Sequence, residues 1–326
     1  MRLILSFLLI MLTLPASAQC VGENLIKGLS LGKRTALDIA VADHPYPQGN
    51  LWRLQKTDSI IHVMGTFHLN DARFTDYLEP IWPIIDTADL VLLEGDSTAM
   101  KQLKAKITTD PSITFITDGP TLPELLTEEE WQQLSVEMSA RGIPAFMVSK
   151  MRPWFVSMML AIPPCAMSAM KEPNGVDQRI IKRAEAQNIP TGSLEPFDTV
   201  FSLFGDQDGL DMIRIGLAGT ESGDAMIATM TDEYLAGHHR ELWEFSRIYA
   251  FETMDHPKEA VAKMFSEMER VMLSERNINW IDGILTTAKD NDNLVIAVGA
   301  GHLSGEKGVL FLLKQAGYAV TRVDGF

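Results

Sequence analysis

A chain of 326 residues with 28 basic and 43 acidic side chains, and so a formal net charge of −15, is a poor partner for nucleic acid or an anionic membrane surface. Its 2 cysteines are too few for a cysteine zinc cluster. The length suits one large domain or two small ones.

The chain opens on Met1-Arg2, then an apolar run Leu3–Leu14, then Pro15-Ala16-Ser17-Ala18. A charged start, a short apolar run and A-x-A describe a secretory signal peptide, here residues 1–18, cut after Ala18. The run is too short to span a bilayer, and no later stretch approaches the ~20 apolar residues of a membrane helix. The mature protein is therefore expected in the periplasm or secreted, with no integral membrane segment. Cys20 raises a lipoprotein alternative, which Gln19 before it disfavours. Cys20 and Cys165 either pair in an oxidising compartment, tying the tail to Pro163-Pro164-Cys165, or stay free.

Residues 19–50 read as a loosely structured lead-in, and residues 51–326 as a single α/β domain. Leu51–Lys56 and Ile60–Met64 are predicted strands, joined in a hairpin by Thr57-Asp58-Ser59. The second apolar run stops at Gly65, which frees the chain to turn, and presents His68. His62 is expected to be a structural strand residue. Asn70 or Asp71 caps a helix over Ala72–Ile85, which Pro80 and Pro83 should kink or restart. The next strand, Asp89–Leu93, is followed at once by Glu94. Strand, helix, strand is a βαβ unit, and it brings Glu94 near His68.

The middle, from about residue 100 to 260, is predicted mostly helical. Thr127-Glu128-Glu129-Glu130 is a capping box that opens a helix to about Ala140. Met147, Met151, Met158, Met159, Met167 and Met170 are either core filling or an adaptable apolar surface. Asn174-Gly175-Val176-Asp177 starts a helix to about Gln187. Ile189–Leu194 is a short strand ending in Glu195. Gly205–Asp211 lacks the ligand at position twelve of an EF-hand and reads as an acidic loop. His238 and His239 would point about 100° apart on a helix and, with His256, read as surface histidines.

Val261–Lys289 is a predicted long helix, broken near Gly283. Arg276 lies four residues from Met272 and Trp280, and Asn277 four from Leu273 and Ile281. Both therefore fall on the face that should be buried. A buried Arg needs a carboxylate or an anionic ligand. The chain closes with strand Leu294–Val298, then Gly299 and His302 at the spacing of Gly65 and His68. A helix over about Gly305–Gln315 capped by Ser304, Gly317 and strand Ala319–Val323 complete a second βαβ-like unit. The expected fold is α/β: a central mixed sheet flanked by helices, formed by N- and C-terminal βαβ-like units, with a mostly helical middle insertion.

Ligands bind such sheets beyond the carboxyl ends of the strands, so two imidazoles should share one crevice. Two His with carboxylates make an N/O site suited to Zn²⁺, Mn²⁺ or Co²⁺. The candidates are His68, His302 and Glu94 as metal ligands, with Glu94 alternatively the base, and Arg276, Asn277 and Glu195 in support. A metal-activated water beside these groups suffices for amide or ester hydrolysis.

The same motifs resemble the TraB/PrgY/GumN family, close to its GumN branch and related to the Tiki metalloproteases. The resemblance spans roughly residues 50–326. It rests on Gly65/His68, Glu94 after the next strand, Gly175-Val176-Asp177, Leu194-Glu195, Glu275-Arg276-Asn277 and the closing Val298–Leu310, VGAGHLSGEKGVL. It implies a metal-dependent peptidase with an essential Glu, which falls on Glu94. Pro196 stands where the family's pattern leads one to expect Thr. Tiki proteins are membrane-tethered, so their substrate does not carry over. Two other classes stay open: a protein that binds and sequesters peptides, as TraB and PrgY relatives limit pheromone signalling, and a haem or metal carrier using two imidazoles. Loss of function at Glu94 with metal retained would favour the enzyme; a Soret band on mixing with haem would favour the carrier. The expected partner is a peptide or small-molecule substrate.

Overall fold

The computed structural model describes residues 20–57, 59–167, 173–202, 206–254 and 257–326. The predicted signal peptide, Met170, Gly205 and His256 lie outside the described residues. A six-stranded mixed sheet holds the centre: β1 Leu51–Lys56, β2 Ser59–Thr66, β3 Leu90–Leu93, β4 Thr191–Ser193, β5 Asn293–Gly299 and β6 Ala319–Arg322, in the order β4-β3-β5-β2-β1-β6. β1 runs antiparallel to β2, as the predicted hairpin requires, and antiparallel to β6. The pairs β4-β3, β3-β5 and β5-β2 are parallel. The two end units interleave rather than standing apart. β5 inserts between β2 and β3, and β2 and β1 separate β5 from β6. Four parallel strands thus bring their carboxyl ends to one edge.

Side chains alternate across this sheet with the strand period of two. Leu51, Met64, Val91, Leu93, Val295 and Ala297 join one core with Phe74, Ile85 and Ile180. Trp52, Leu54, Ile61, Val63, Leu92, Leu294, Ile296 and Val298 join the other with Trp280, Ile284 and Leu313. β5 is covered on both faces, which is why it reads as an unbroken apolar run. The helical middle builds a further core around Leu134, Met138, Met151, Val156 and Ile213. Met151 is therefore core filling, whereas Met147 stays 38% exposed.

Several expected elements form as read. The chain restarts at its prolines, as helix Phe74–Leu78, a 3-10 turn Glu79–Ile81 and helix Trp82–Asp86. Thr127 caps helix Glu128–Ala140, accepting from Glu130 N at 3.2 Å while Glu130 accepts from Thr127 N at 2.8 Å. Others differ. The lead-in holds a helix, Leu31–Ala42, whose Leu37 and Val41 pack on Phe245; two buried residues make too narrow a stripe to read in sequence. β4 shrinks to three residues. Residues read as an acidic loop open the helix Asp206–Ala218. The long helix runs through Gly283, where a Cβ would meet nothing within 4 Å. Its irregularity is instead a π-helical turn, Arg270–Ser274, just ahead of Arg276. The last helix starts only at Val309, because Gly308 lies against the backbone of Ser304, where a Cβ would stand 2.4 Å from the carbonyl oxygen; Ser304 is buried and is not a cap. His239 is not a surface residue, and His238 is half-buried. Gly237, at φ +77°, breaks the helix before them, so His239 is buried 3.1 Å from the Tyr46 carbonyl and His238 lies 2.7 Å from Glu233.

Cys20 and Cys165 form a disulfide across 145 residues, joining the lead-in to the helical middle. Such a bond typically contributes about 2–5 kcal/mol. Among the described residues no helix is long and apolar enough to cross a membrane.

Candidate functional site

The four parallel strands each deliver one polar side chain to their common edge. His68 lies two residues past β2, Glu94 one past β3, Glu195 two past β4, and His302 ends the 3-10 turn Ala300–His302 that follows β5. Glycine makes the convergence possible, though not by turning the chain at Gly65, which lies inside β2. A Cβ at Gly65 would stand 2.8 Å from Leu303 Cδ1 and 3.0 Å from Ala300, so its absence lets the His302 turn lie against β2. A Cβ at Gly299 would stand 3.2 Å from Glu94 Oε1, 3.7 Å from His302 Cδ2 and 3.8 Å from His68 Nε2. The three predicted ligands therefore gather around one point.

Arg276 holds the centre, on the buried face the helical spacing assigned to it. All five N–H donors of its guanidinium have partners. Nε donates to Glu195 Oε2 at 2.9 Å, and Nη2 to Glu195 Oε1 and Glu94 Oε2, each at 2.6 Å. Nη1 faces the Met272 carbonyl at 3.1 Å and His302 Nε2 at 3.2 Å. Trp280, one turn on, donates to Glu195 Oε2 at 3.2 Å and lays its ring 5.0 Å from the guanidinium and 4.6 Å from the His302 ring. Pro196 after Glu195 does not disturb this bidentate pair. Arg276 is thus a charge tethered by two carboxylates, one of the two partners a buried Arg calls for.

Asn277 fixes the tautomer of His302. Its amide nitrogen faces two carbonyls, His302 O at 3.3 Å and Lys307 O at 2.9 Å, so its oxygen must accept the 2.6 Å bond from His302 Nδ1. His302 Nε2 then carries a lone pair, which Arg276 Nη1 fills. Burial lowers the His302 pKa to about 4, so the ring is neutral at pH 7. For Glu94, burial works upward, but His302, Arg276, His68 and the Gly299 N–H, 2.6 Å from Oε1, outweigh it and hold the carboxyl at about 2.

His68 differs from both. Its side chain is 69% exposed, and its Nδ1 lies 3.4 Å from Asp177 Oδ1. That oxygen is buried and has no hydrogen-bond partner. Asp177 raises the His68 pKa. Asp177 is placed by Gly175, where a Cβ would come within 2.2 Å of the His68 carbonyl oxygen, and by Val176 N donating to Phe67 O at 2.8 Å. Gly175→Ala is therefore expected to push the His68 main chain away. Overpacking of this kind costs about 1–3 kcal/mol, to be read as a lowered melting temperature together with lost turnover; an unchanged melting temperature would show that the contact yields freely.

The donor set does not fit a single divalent ion as arranged. The His302 lone pair faces Arg276, and each Glu94 oxygen already accepts a hydrogen bond, Oε2 from Arg276 and Oε1 from Gly299. The donor atoms of His68, Glu94 and His302 do not all lie within 4.8 Å of one another. Two groups among the described residues do meet that spacing. Cys20, Cys165 and Asp224 are disqualified because the cysteines are bonded, and Glu233, His238 and Glu241 clasp the lead-in through Asn24 and Arg34.

Sequence reasoning placed His68, Glu94, Glu195, Arg276, Asn277 and His302 here, and the structure gathers all six. It gave Asp177 no chemical role, naming it only as a helix start and as part of the Gly175-Val176-Asp177 motif, and it read Trp280 only as core. The i, i+4 spacing from Arg276 was the available signal for Trp280.

Residues 50–322 match the family model described as the TraB/PrgY/gumN family. No curated protein matches the chain.

Proposed function

The chain belongs to the TraB/PrgY/gumN family, and from that premise we propose an exported hydrolase of amide or ester bonds, in its simplest form a peptidase, with His68 as general base. The observation that carries this reading is the exposed His68 ring, with the buried, otherwise unpartnered Asp177 Oδ1 3.4 Å from its Nδ1, and with its Nε2 gathered beside Glu94 and His302 around Gly299. The alternatives within the site are weaker. Glu94, held at about 2, is a feeble base, and His302, at about 4, has its lone pair on Arg276. Asp177 holds the proton on Nδ1, which leaves Nε2 to take one from water as it attacks the carbonyl and to return it to the leaving group. Arg276 keeps Glu94 and Glu195 in place beside the reacting atoms. A second reading retains a divalent ion on His68, His302 and Glu94; in its favour, Glu94, Glu195 and Asp177 set three carboxylates against the one guanidinium.

The test is a peptide-library digest by the purified mature protein, with and without chelator, beside elemental analysis. Cleavage is expected to survive the chelator. Because Asp177 raises the His68 pKa, the neutral base accumulates only as pH rises, so the acid limb of the rate profile should lie above the ordinary histidine range. Asp177→Asn should move that limb to lower pH and depress the plateau. Stoichiometric metal with chelator-sensitive cleavage would establish the second reading, and a protein that cleaves nothing would be the peptide-sequestering one. Export is supported by the Cys20–Cys165 bond. Mass spectrometry of the exported protein should find Gln19 at the N-terminus, and an intact Met1 in cytoplasmic protein would end that part of the proposal.

A further inference from the structure

A cavity of about 240 Å³ opens beside the guanidinium, and Glu94, Glu195 and Arg276 supply its charged lining. The rest of the lining is largely apolar, with Met100, Leu103, Pro196 and Phe197. Neither Met100, Leu103 nor Phe197 belongs to any of the protein's hydrophobic cores among the described residues. The helix that carries the first two, Ser97–Thr109, has only Ala99 buried along its 13 residues. Polar bonds hold it at its start: Asp96 accepts from Ala99 N at 2.9 Å, Asp96 N donates to Ser193 Oγ at 3.0 Å, and Ser97 bonds Glu185 at 2.5 Å. Met100, one turn in, is 47% exposed. The helix is thus anchored at one end and turns unpartnered apolar side chains toward the reacting groups. Pro196 and Phe197, just past β4, line the same cavity.

We propose that this cavity is the specificity subsite, which takes one apolar side chain or short acyl group next to the bond that is cut. The inference rests on the hydrolase reading. The volume is below the 300–1,000 Å³ of pockets that enclose a whole small ligand, so it fits one substituent. The charged lining sets two carboxylates against one guanidinium, so the group that enters is neutral or cationic at its end, and a free carboxylate is repelled.

The probes are p-nitrophenyl esters from acetate to octanoate for turnover, and the matching primary amides, acetamide to octanamide, for calorimetric binding without turnover. Affinity and kcat/KM should rise up to about fourfold per added methylene, the factor for full burial of one CH₂, and level off once the cavity is full; hexanoate should bind more weakly than hexanamide. Leu103→Ser with Phe197→Ser should flatten the chain-length dependence, lowering octanoate turnover far more than acetate turnover. Met100→Lys, at an exposed position, should lower affinity for the longer amides without unfolding the chain. Amide binding that climbs with chain length and flattens in the variants, with no ester cleaved, would keep the subsite and overturn the hydrolase. Ester cleavage with a flat profile, identical in all variants, would overturn the subsite and keep the hydrolase.

Discussion

Arg276→Met is expected to be among the most damaging single changes in this protein, lowering its stability by about 3–5 kcal/mol, the usual result of breaking a buried ion pair from one side. The guanidinium is 13% exposed, and the carboxylates it joins, Glu94 and Glu195, are 20% and 16% exposed. Removing it strands two negative charges at the end of the sheet and leaves the Met272 carbonyl and His302 Nε2 without their donor. The loss should depend on pH. The Glu94 pKa is depressed in the folded protein, so its contribution to stability is present above the ordinary carboxylate range and is lost as pH falls toward about 2. In the variant the stranded carboxylates gain by taking up protons. The gap between variant and wild type should therefore be full at pH 7 and narrow as pH falls below about 4.5. Adding Glu195→Gln to Arg276→Met should recover part of the loss by removing one stranded charge. Urea unfolding at pH 7 and pH 4 decides the matter. A variant as stable as wild type at pH 7 would mean that water already solvates both carboxylates.

What could be read in the sequence follows from local pattern. Short apolar runs mark β2, β3 and β5, and their ends locate His68, Glu94 and His302. A period of 3.6 puts Arg276 and Asn277 on a buried face before any partner is known. Contacts between distant segments leave no such trace. Gly65 and Gly175 matter because another part of the backbone approaches them, of Ala300 in one case and of His68 in the other, and a single chain of letters cannot show what stands opposite a glycine. The strand order was equally hidden: β5 enters between β2 and β3 from nearly the other end of the chain. Hidden from the metal reading was one contact, by which Arg276 reaches the His302 lone pair and Glu94 at once. A guanidinium placed by helical spacing can be foreseen as buried, but its five partners come from three different strand ends and its own helix.

His68→Ala and His302→Ala should part company, and the difference separates chemistry from architecture. His68 is largely exposed, so its 3.4 Å contact with Asp177 is screened by water and adds little to stability. Its removal should leave stability within about 0.5 kcal/mol of wild type, as for most surface positions, while turnover falls by the roughly 10²–10⁴ of a lost general base. His302 is 4% exposed, bonded to Asn277 and Arg276 and packed on Trp280. Its removal orphans the Asn277 oxygen and an Arg276 donor, each worth about 1–3 kcal/mol when buried without a partner. Stability should therefore fall with turnover, and the turnover that remains should show the wild-type pH limb, because His68 still sets it. Melting temperature, kcat and the pH profile measured on one preparation of each variant give the comparison. Full activity in His68→Ala would remove the proposed base. A His302→Ala protein that keeps its stability but loses all activity would instead place His302 among the reacting groups, and with it restore the case for a metal shared by His68, Glu94 and His302.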